Sequence, residues 1–204
     1  MFQHSLVRVV RSNPQLFGSH SSAQPNTSNA SSPAWSGLPI IFDEVFTGLY
    51  RLGRFTSSSF LGVQPDISVH AKLLTGGLIP LCTTLASQSI FEAFLSDEKS
   101  DALLHGHSYT AHAVGCKVAE TSLRTMLSMD EAGQWASFKQ SWQGSAALPQ
   151  SHAEHGAAGV VWSMWSKDFV EAVSDKQPVD SVFALGSVLA ISLHDESGSG
   201  KDAL

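Results

Sequence analysis

One stretch constrains this chain more than any other: Pro65-Asp66-Ile67-Ser68-Val69-His70-Ala71-Lys72-Leu73-Leu74-Thr75-Gly76-Gly77. An extended apolar segment runs into Lys72 and then breaks into a Thr-Gly-Gly turn. Upstream, Leu38-Pro39-Ile40-Ile41-Phe42 repeats the design and closes on Asp43-Glu44. Short apolar runs that end on a polar group are the form of buried parallel strands in an α/β sheet. Ligands bind such sheets beyond the carboxyl ends of the strands, so the pattern predicts that Asp43 and Lys72 face one crevice.

An amine and a carboxylate fixed there suit a cofactor that bonds to lysine through an aldehyde and carries a basic ring nitrogen. Pyridoxal phosphate is such a cofactor. The attacking form of a lysine is the neutral amine, which burial favours, so Lys72 is expected in a partly desolvated place. Most lysines are simply solvated, and an aspartate at a strand end often serves only a turn. The twin strand endings set these two residues apart from that background.

The three runs IFDEVFTGLYRLGR, PDISVHAKLLTGG and HGHSYTAHAVGC occur in this order. Together they resemble the class III aminotransferases, and HGHSYTAHAVGC resembles the diaminopelargonate-forming branch found in eukaryotes. In that branch a dethiobiotin synthetase domain precedes the aminotransferase. The resemblance covers most of residues 38–193. It implies an α/β fold of the aspartate-aminotransferase type (fold type I): a partial large domain with a mainly parallel sheet flanked by helices, and the start of a C-terminal small domain. The corresponding division is a helix at 1–12, a low-complexity loop or insertion at 13–37, a partial cofactor-binding large domain at 38–175, the start of the small domain at 176–193 and a disordered tail at 194–204.

The resemblance also implies roles. Lys72 would bond pyridoxal 5'-phosphate, Asp43 would hold the pyridine nitrogen protonated, and Val45 would lie against the ring face, although a plain core valine reads equally well. Ser108, with His107 beside it, would reach the phosphate of a neighbouring subunit, which implies a homodimer with shared sites. The reaction implied is a ping-pong exchange of an amino group between a small-molecule donor, S-adenosylmethionine, and a keto acceptor, 8-amino-7-oxononanoate. The other class III reactions share Asp43 and Lys72. The family's upstream phosphate loop and downstream substrate arginine have no counterpart here, nor does the P-loop of the synthetase domain, so the chain reads as a slice of a larger enzyme. A non-catalytic remnant or interaction subunit is the competing class. By resemblance the location is the mitochondrial matrix, with the cytoplasm as alternative.

Bulk properties narrow the remaining choices. A chain of 204 residues is long enough for an ordinary domain, and no apolar run has bilayer-spanning length. A net charge of −6 opposes a nucleic-acid partner. Cys82 and Cys116 read as reduced, small core residues. Residues 1–42 hold no acidic side chain, and Phe2, Leu6, Val9 and Val10 recur at helical spacing around Arg8 and Arg11. That pattern fits a transit peptide or the helix that precedes the Leu38 strand, and the family resemblance favours the helix.

Further along, Asn13–Gly37 is too polar to order itself cheaply and reads as a mobile loop. Ser57–Leu61 reads as a short helix, Pro80–Ala86 as a third strand, and Ser89 with Glu92 as a capping box for a helix to Leu95. A long helix is expected over Ala111–Met129, another from Asp130 to Ser145, and a short one around Trp162 and Trp165. Ser181–Leu193 reads as one strand bent at Gly186. His105, His107 and His112 invite a zinc reading, but His-x-His on a loop is non-specific and no metal site is assigned. Trp135, Trp142, Trp162 and Trp165 read as packing residues rather than an aromatic cage, and Arg51 and Arg54 stay unassigned.

Overall fold

A computed structural model describes residues 2–17, 38–102, 110–143 and 161–194. Of the loop expected over Asn13–Gly37, Pro14–Phe17 forms a 3-10 turn and residues 18–37 lie outside the described residues, as do the HGHSY segment and the tail beyond His194. The chain divides into two compact units: residues 1–46 with 58–119, and residues 47–57 with 120–204.

The first unit opens with α1 (Phe2–Ser12), followed by a 3-10 turn over Pro14–Phe17. Val7 is the buried residue of α1, whereas Phe2, Leu6 and Val9 point outwards. Three of the four residues of the sequence's apolar stripe therefore face outwards, and Val10 is half-buried. Arg11 lies on the inner side, where its guanidinium donates to the Gln64 carbonyl and pairs with Asp66 at 3.5 Å. Three strands follow: β1 (Ile41–Asp43), β2 (Ile67–His70) and β3 (Thr83–Ala86). β1 and β2 are parallel with Asp43 opposite Val69, and β3 is antiparallel to β2 with Thr83 opposite His70. The antiparallel strand has a plain cause. A parallel neighbour is usually reached through a crossover helix, and the link from β2 to β3 holds only a 3-10 turn and coil.

Asp66 sets the start of this sheet. Its Oδ2 accepts from the Ile40 N–H at 2.8 Å, and its own N–H donates to the Ile40 carbonyl at 2.8 Å. At the other edge its carbonyl accepts from the Ser87 N–H. The strands are shorter and more exposed than their apolar composition predicts. β1 is an edge strand whose Ile41 and Asp43 are both exposed. α2 (Gln88–Glu92) is capped at Ser87, without a side-chain cap bond, so the Ser89 capping box does not form. The Ser89 hydroxyl instead lies 3.0 Å from that of Ser87, and the Gln88 amide binds Glu92.

α3 (Ala113–Glu131) buries Gly115 and Ala119 along one stripe. Cys116 is off that stripe and Cys82 sits in the coil before β3, so both thiols are free and exposed rather than in the core. α3 continues into the second unit and passes through Asp130, which therefore does not start a new helix. Gly133, at φ 67, marks the break, and α4 spans Ala136–Gln143. The Asp130 carboxylate is engaged laterally instead: Oδ2 accepts from the Tyr50 hydroxyl at 2.8 Å and Oδ1 lies 3.7 Å from the Lys139 ammonium.

Aromatic packing holds the second unit together. Trp135 lies 6.1 Å from Tyr50 and 6.2 Å from Trp162, and Phe138 stacks on Trp162 at 6.4 Å. Lys139 stands 5.5 Å over the Trp162 ring, so the cation position beside that ring is filled by the chain itself. The helix expected around Trp162 and Trp165 begins only at Lys167. This is α5 (Lys167–Ser174), where the Ser166 hydroxyl caps the Phe169 N–H. Ser181–Leu193 is a hairpin, β4 (Val179–Leu185) and β5 (Val188–Leu193), rather than one bent strand. Leu185 pairs with Val188 across Gly186-Ser187, and a positive φ of 55 at Gly186 alone is the pattern of a type II′ turn.

That turn is locked from outside. The Gly186 carbonyl accepts from the Met164 N–H and the Ser163 hydroxyl, and the Ser187 N–H donates to the Arg51 carbonyl. A Cβ at Gly186 would lie 2.3 Å from the Gly53 nitrogen and 2.4 Å from the Arg51 oxygen, both backbone atoms that cannot swing aside. Gly186→Ala is therefore expected to cost about 2–4 kcal/mol, adding overpacking to the left-handed φ. Gly62→Ala, at φ 62 with open space around it, should cost no more than about 1–2 kcal/mol. Urea unfolding followed by tryptophan fluorescence and circular dichroism checks the difference.

Burial first, then the hydrogen bond to Asp130 and the charges of Asp130 and Glu131, push the Tyr50 phenol above its ordinary range. The folded chain thus keeps a proton that the unfolded chain releases near pH ~10, so this stabilisation is present below that pH and lost as pH rises above it. The urea midpoint should fall on the alkaline side of about pH 10, and Tyr50→Phe should remove much of that slope.

Candidate active site

The carboxyl ends of β1 and β2 define the site. Because the strands are parallel and in register, Asp43 closes one and Lys72 follows the end of the other, both within the first unit. The Glu44 N–H donates to the Val69 carbonyl at 3.0 Å, extending the pairing one residue past β1. The strand pairing therefore puts both residues at the same end of the sheet.

Lys72 has φ 50, a left-handed conformation that costs a side chain about 1–2 kcal/mol. It opens a 3-10 turn, Lys72–Leu74, whose Leu74 is buried, and the Thr75 hydroxyl below it donates to the Ile79 carbonyl at 2.7 Å. Gly76 and Gly77 continue the turn at φ 60 and 80. Lys72 itself is exposed rather than desolvated. Among the described residues its ammonium makes no hydrogen bond or ion pair; it lies 5.0 Å from the centroid of the Phe46 ring. Lys72 thus presents its amine from a costly backbone conformation.

Asp43 is exposed too, and its Oδ1 accepts from the Val45 N–H at 3.0 Å, the one side-chain hydrogen bond it makes among the described residues. That local turn fixes the carboxylate and leaves Oδ2 for another donor. Val45 is half-buried. Sequence reasoning gave no role to two neighbours that the structure brings in. Glu44 is buried, and its carboxylate accepts from the Ser58 N–H at 3.1 Å, bracing the segment after β1. Phe46 supplies the ring beside Lys72. The acid-aromatic run DEVF held a signal for both, since an acid inside an apolar run must find a partner if it is buried.

His107 and Ser108 lie outside the described residues, as does His105. His112 has a local role: its Nδ1 accepts from the Gly115 N–H at 3.0 Å, capping α3. Arg54 belongs to the second unit, where burial pushes its guanidinium below the ordinary value, and Arg51 serves the Gly186 turn through its carbonyl.

Comparison with known proteins gives this geometry a lineage. Residues 35–145 match the model of the aminotransferase class-III family. The chain belongs to that family. Over 98% of its length it is 61% identical to the bifunctional dethiobiotin synthetase/adenosylmethionine-8-amino-7-oxononanoate aminotransferase of Emericella nidulans, of which it covers 24%. It is 40% identical, over 82% of its length, to the Arabidopsis thaliana bifunctional dethiobiotin synthetase/7,8-diamino-pelargonic acid aminotransferase, which is named mitochondrial and of which it covers 18%. An amine transaminase from an uncultivated Pseudomonas species, solved in its PLP-bound form, superposes with a TM-score of 0.54 at 27% identity, over 76% of this chain and 30% of that one. The class III chain thus spans about a quarter or less of the curated relatives it matches. Its α/β architecture is that of a partial fold-type I transferase domain. Among the described residues no helix is long and apolar enough to cross a membrane.

The left-handed Lys72 backbone bears a cost that glycine would not. Lys72→Gly should therefore be more stable than Lys72→Ala by about 1 kcal/mol, read from chemical denaturation of the two variants.

Proposed function

We propose that this chain is the lysine-bearing portion of a pyridoxal-phosphate-dependent adenosylmethionine:8-amino-7-oxononanoate aminotransferase of biotin synthesis. The observation that carries the reading is the Lys72 amine, without a hydrogen bond or ion pair among the described residues, placed after β2 and next to the strand that ends in Asp43. The identity of 61% to the fungal bifunctional protein supports the substrate pair. The donor set fits the cofactor: an amine for its aldehyde carbon and a carboxylate with a spare oxygen for its ring nitrogen. When bound, pyridoxal phosphate supplies an electron sink for the carbanion left when a proton leaves the substrate carbon.

The chain's own residues have distinct tasks in this reading. Lys72 holds the cofactor and, once freed by the amino donor, carries the proton between substrate and cofactor carbons. Asp43 keeps the ring nitrogen protonated, held in place by its Val45 N–H contact. Val45 lies against the ring face. Ser108 and His107 serve the phosphate of a neighbouring subunit, which makes the working form a homodimer. Residues 38–175 belong to the cofactor domain with residues 1–12 as its helix, 13–37 are a low-complexity loop or insertion, and 176–193 begin the small domain. The mitochondrial naming of the plant relative supports a mitochondrial location.

A second reading, a non-catalytic portion that retains the motifs, draws on the exposure of both Asp43 and Lys72. Pyridoxal phosphate with borohydride separates the two. The first reading expects a pyridoxyl adduct mapped to Lys72 and absent from Lys72→Ala, with His107→Ala only weakening retention of the cofactor. A folded protein without the adduct favours the second, and equal losses in the two variants contradict the assigned roles.

A further inference from the structure

We propose that Phe46 is a positioning residue for Lys72: its ring face holds the ammonium at the carboxyl edge of β1 and β2 whenever no aldehyde is bonded to it. The proposal rests on the reading of Lys72 as the cofactor lysine. The Lys72 Nζ lies 5.0 Å from the Phe46 centroid, inside the roughly 6 Å over which the negative face of an aromatic ring attracts a cation. Both partners are held at their bases. Phe46 follows the Asp43–Val45 turn and the Glu44–Ser58 brace, and the Lys72 backbone is pinned at φ 50 between β2 and its 3-10 turn. What remains free is the four-carbon stem of the lysine, and the ring is what restricts it.

This contact has a chemical consequence. An amine held against the ring face must leave it before its nitrogen can attack a carbonyl carbon, so an amine resting on Phe46 reacts more slowly than one in open water. The hold is that of a solvent-accessible pair, a factor of about two to five. It keeps the side chain near its working position and yields readily once a cofactor aldehyde arrives.

The test uses the full 204-residue chain and formaldehyde with cyanoborohydride as the probe, with methylation of each lysine followed by peptide mapping. Phenylalanines carrying one, three and five ring fluorines replace Phe46, which drains the charge from the ring face while nearly preserving its size. The rate at Lys72 should climb stepwise with fluorine count to about two- to fivefold, while the exposed Lys99 of the same unit stays constant. A flat series, or an equal rise at Lys99, overturns the proposal. Pyridoxal phosphate with borohydride on the same proteins keeps the two readings apart. An adduct on Lys72 alongside a flat series removes the role of Phe46 and leaves the cofactor reading. A climbing series without an adduct supports the Phe46 hold and removes the cofactor reading.

Discussion

The parallel pairing of β1 with β2 is the constraint on which the candidate site depends. Asp66 sets it at one end through reciprocal bonds with Ile40, and Glu44 continues it at the other through the Val69 carbonyl. Between these two points the register places Asp43 opposite Val69 and brings Lys72 just past the same edge. A slip of one residue would turn Asp43 to the other face of the sheet, since side chains alternate along a strand. The cluster of bonds at Asp66, distant from the candidate site along both strands, therefore bears on its geometry directly. A carboxylate bonded to a backbone N–H is charge-assisted, worth about 1.5–3 kcal/mol, more than a neutral bond would give to such short strands.

Both units carry costly backbone conformations that are repaid locally. In the first, Lys72 takes φ 50 and presents its amine, and the buried Leu74 and the Thr75 hydroxyl fix the turn beneath it. In the second, Leu49 and Tyr50 both have positive φ, at 55 and 66, and both are buried. The Tyr50 hydroxyl bonded to Asp130 and its ring against Phe55 and Trp135 hold that turn. The hairpin turn at Gly186 then seats against the backbone of residues 51–53, where only a glycine fits.

Much of this was legible in the sequence. The strand endings at Asp43 and Lys72, the short helix near Ser57, the long helix before Glu131 and the packing role of the tryptophans all follow from local pattern, because apolar runs and turn residues act over a few positions. The errors share a cause. Cys82 and Cys116 were expected inside because small apolar residues are often buried, but burial depends on which stripe of a helix faces a neighbour. The outward stripe of α1 fails the same way: Val7 is the buried residue, and Arg11 pairs with Asp66, 55 positions on. Ser181–Leu193 divides at Gly186 because the strand's own residues pair with each other, which alternation alone cannot reveal.

The sequence by itself determined the kinship and the chemical types at the site: an amine after one strand, an acid after another, and glycines beyond the amine. Those are properties of short runs, and short-range physics suffices for them. Only tertiary structure decided the register of the two strands, that Phe46 stands over the lysine, and that Glu44 is buried against Ser58. Each of these joins positions 14 to 26 residues apart, as Glu44–Ser58 and Ile40–Asp66 do. Which distant groups meet depends on how the whole sheet pairs and which faces it buries.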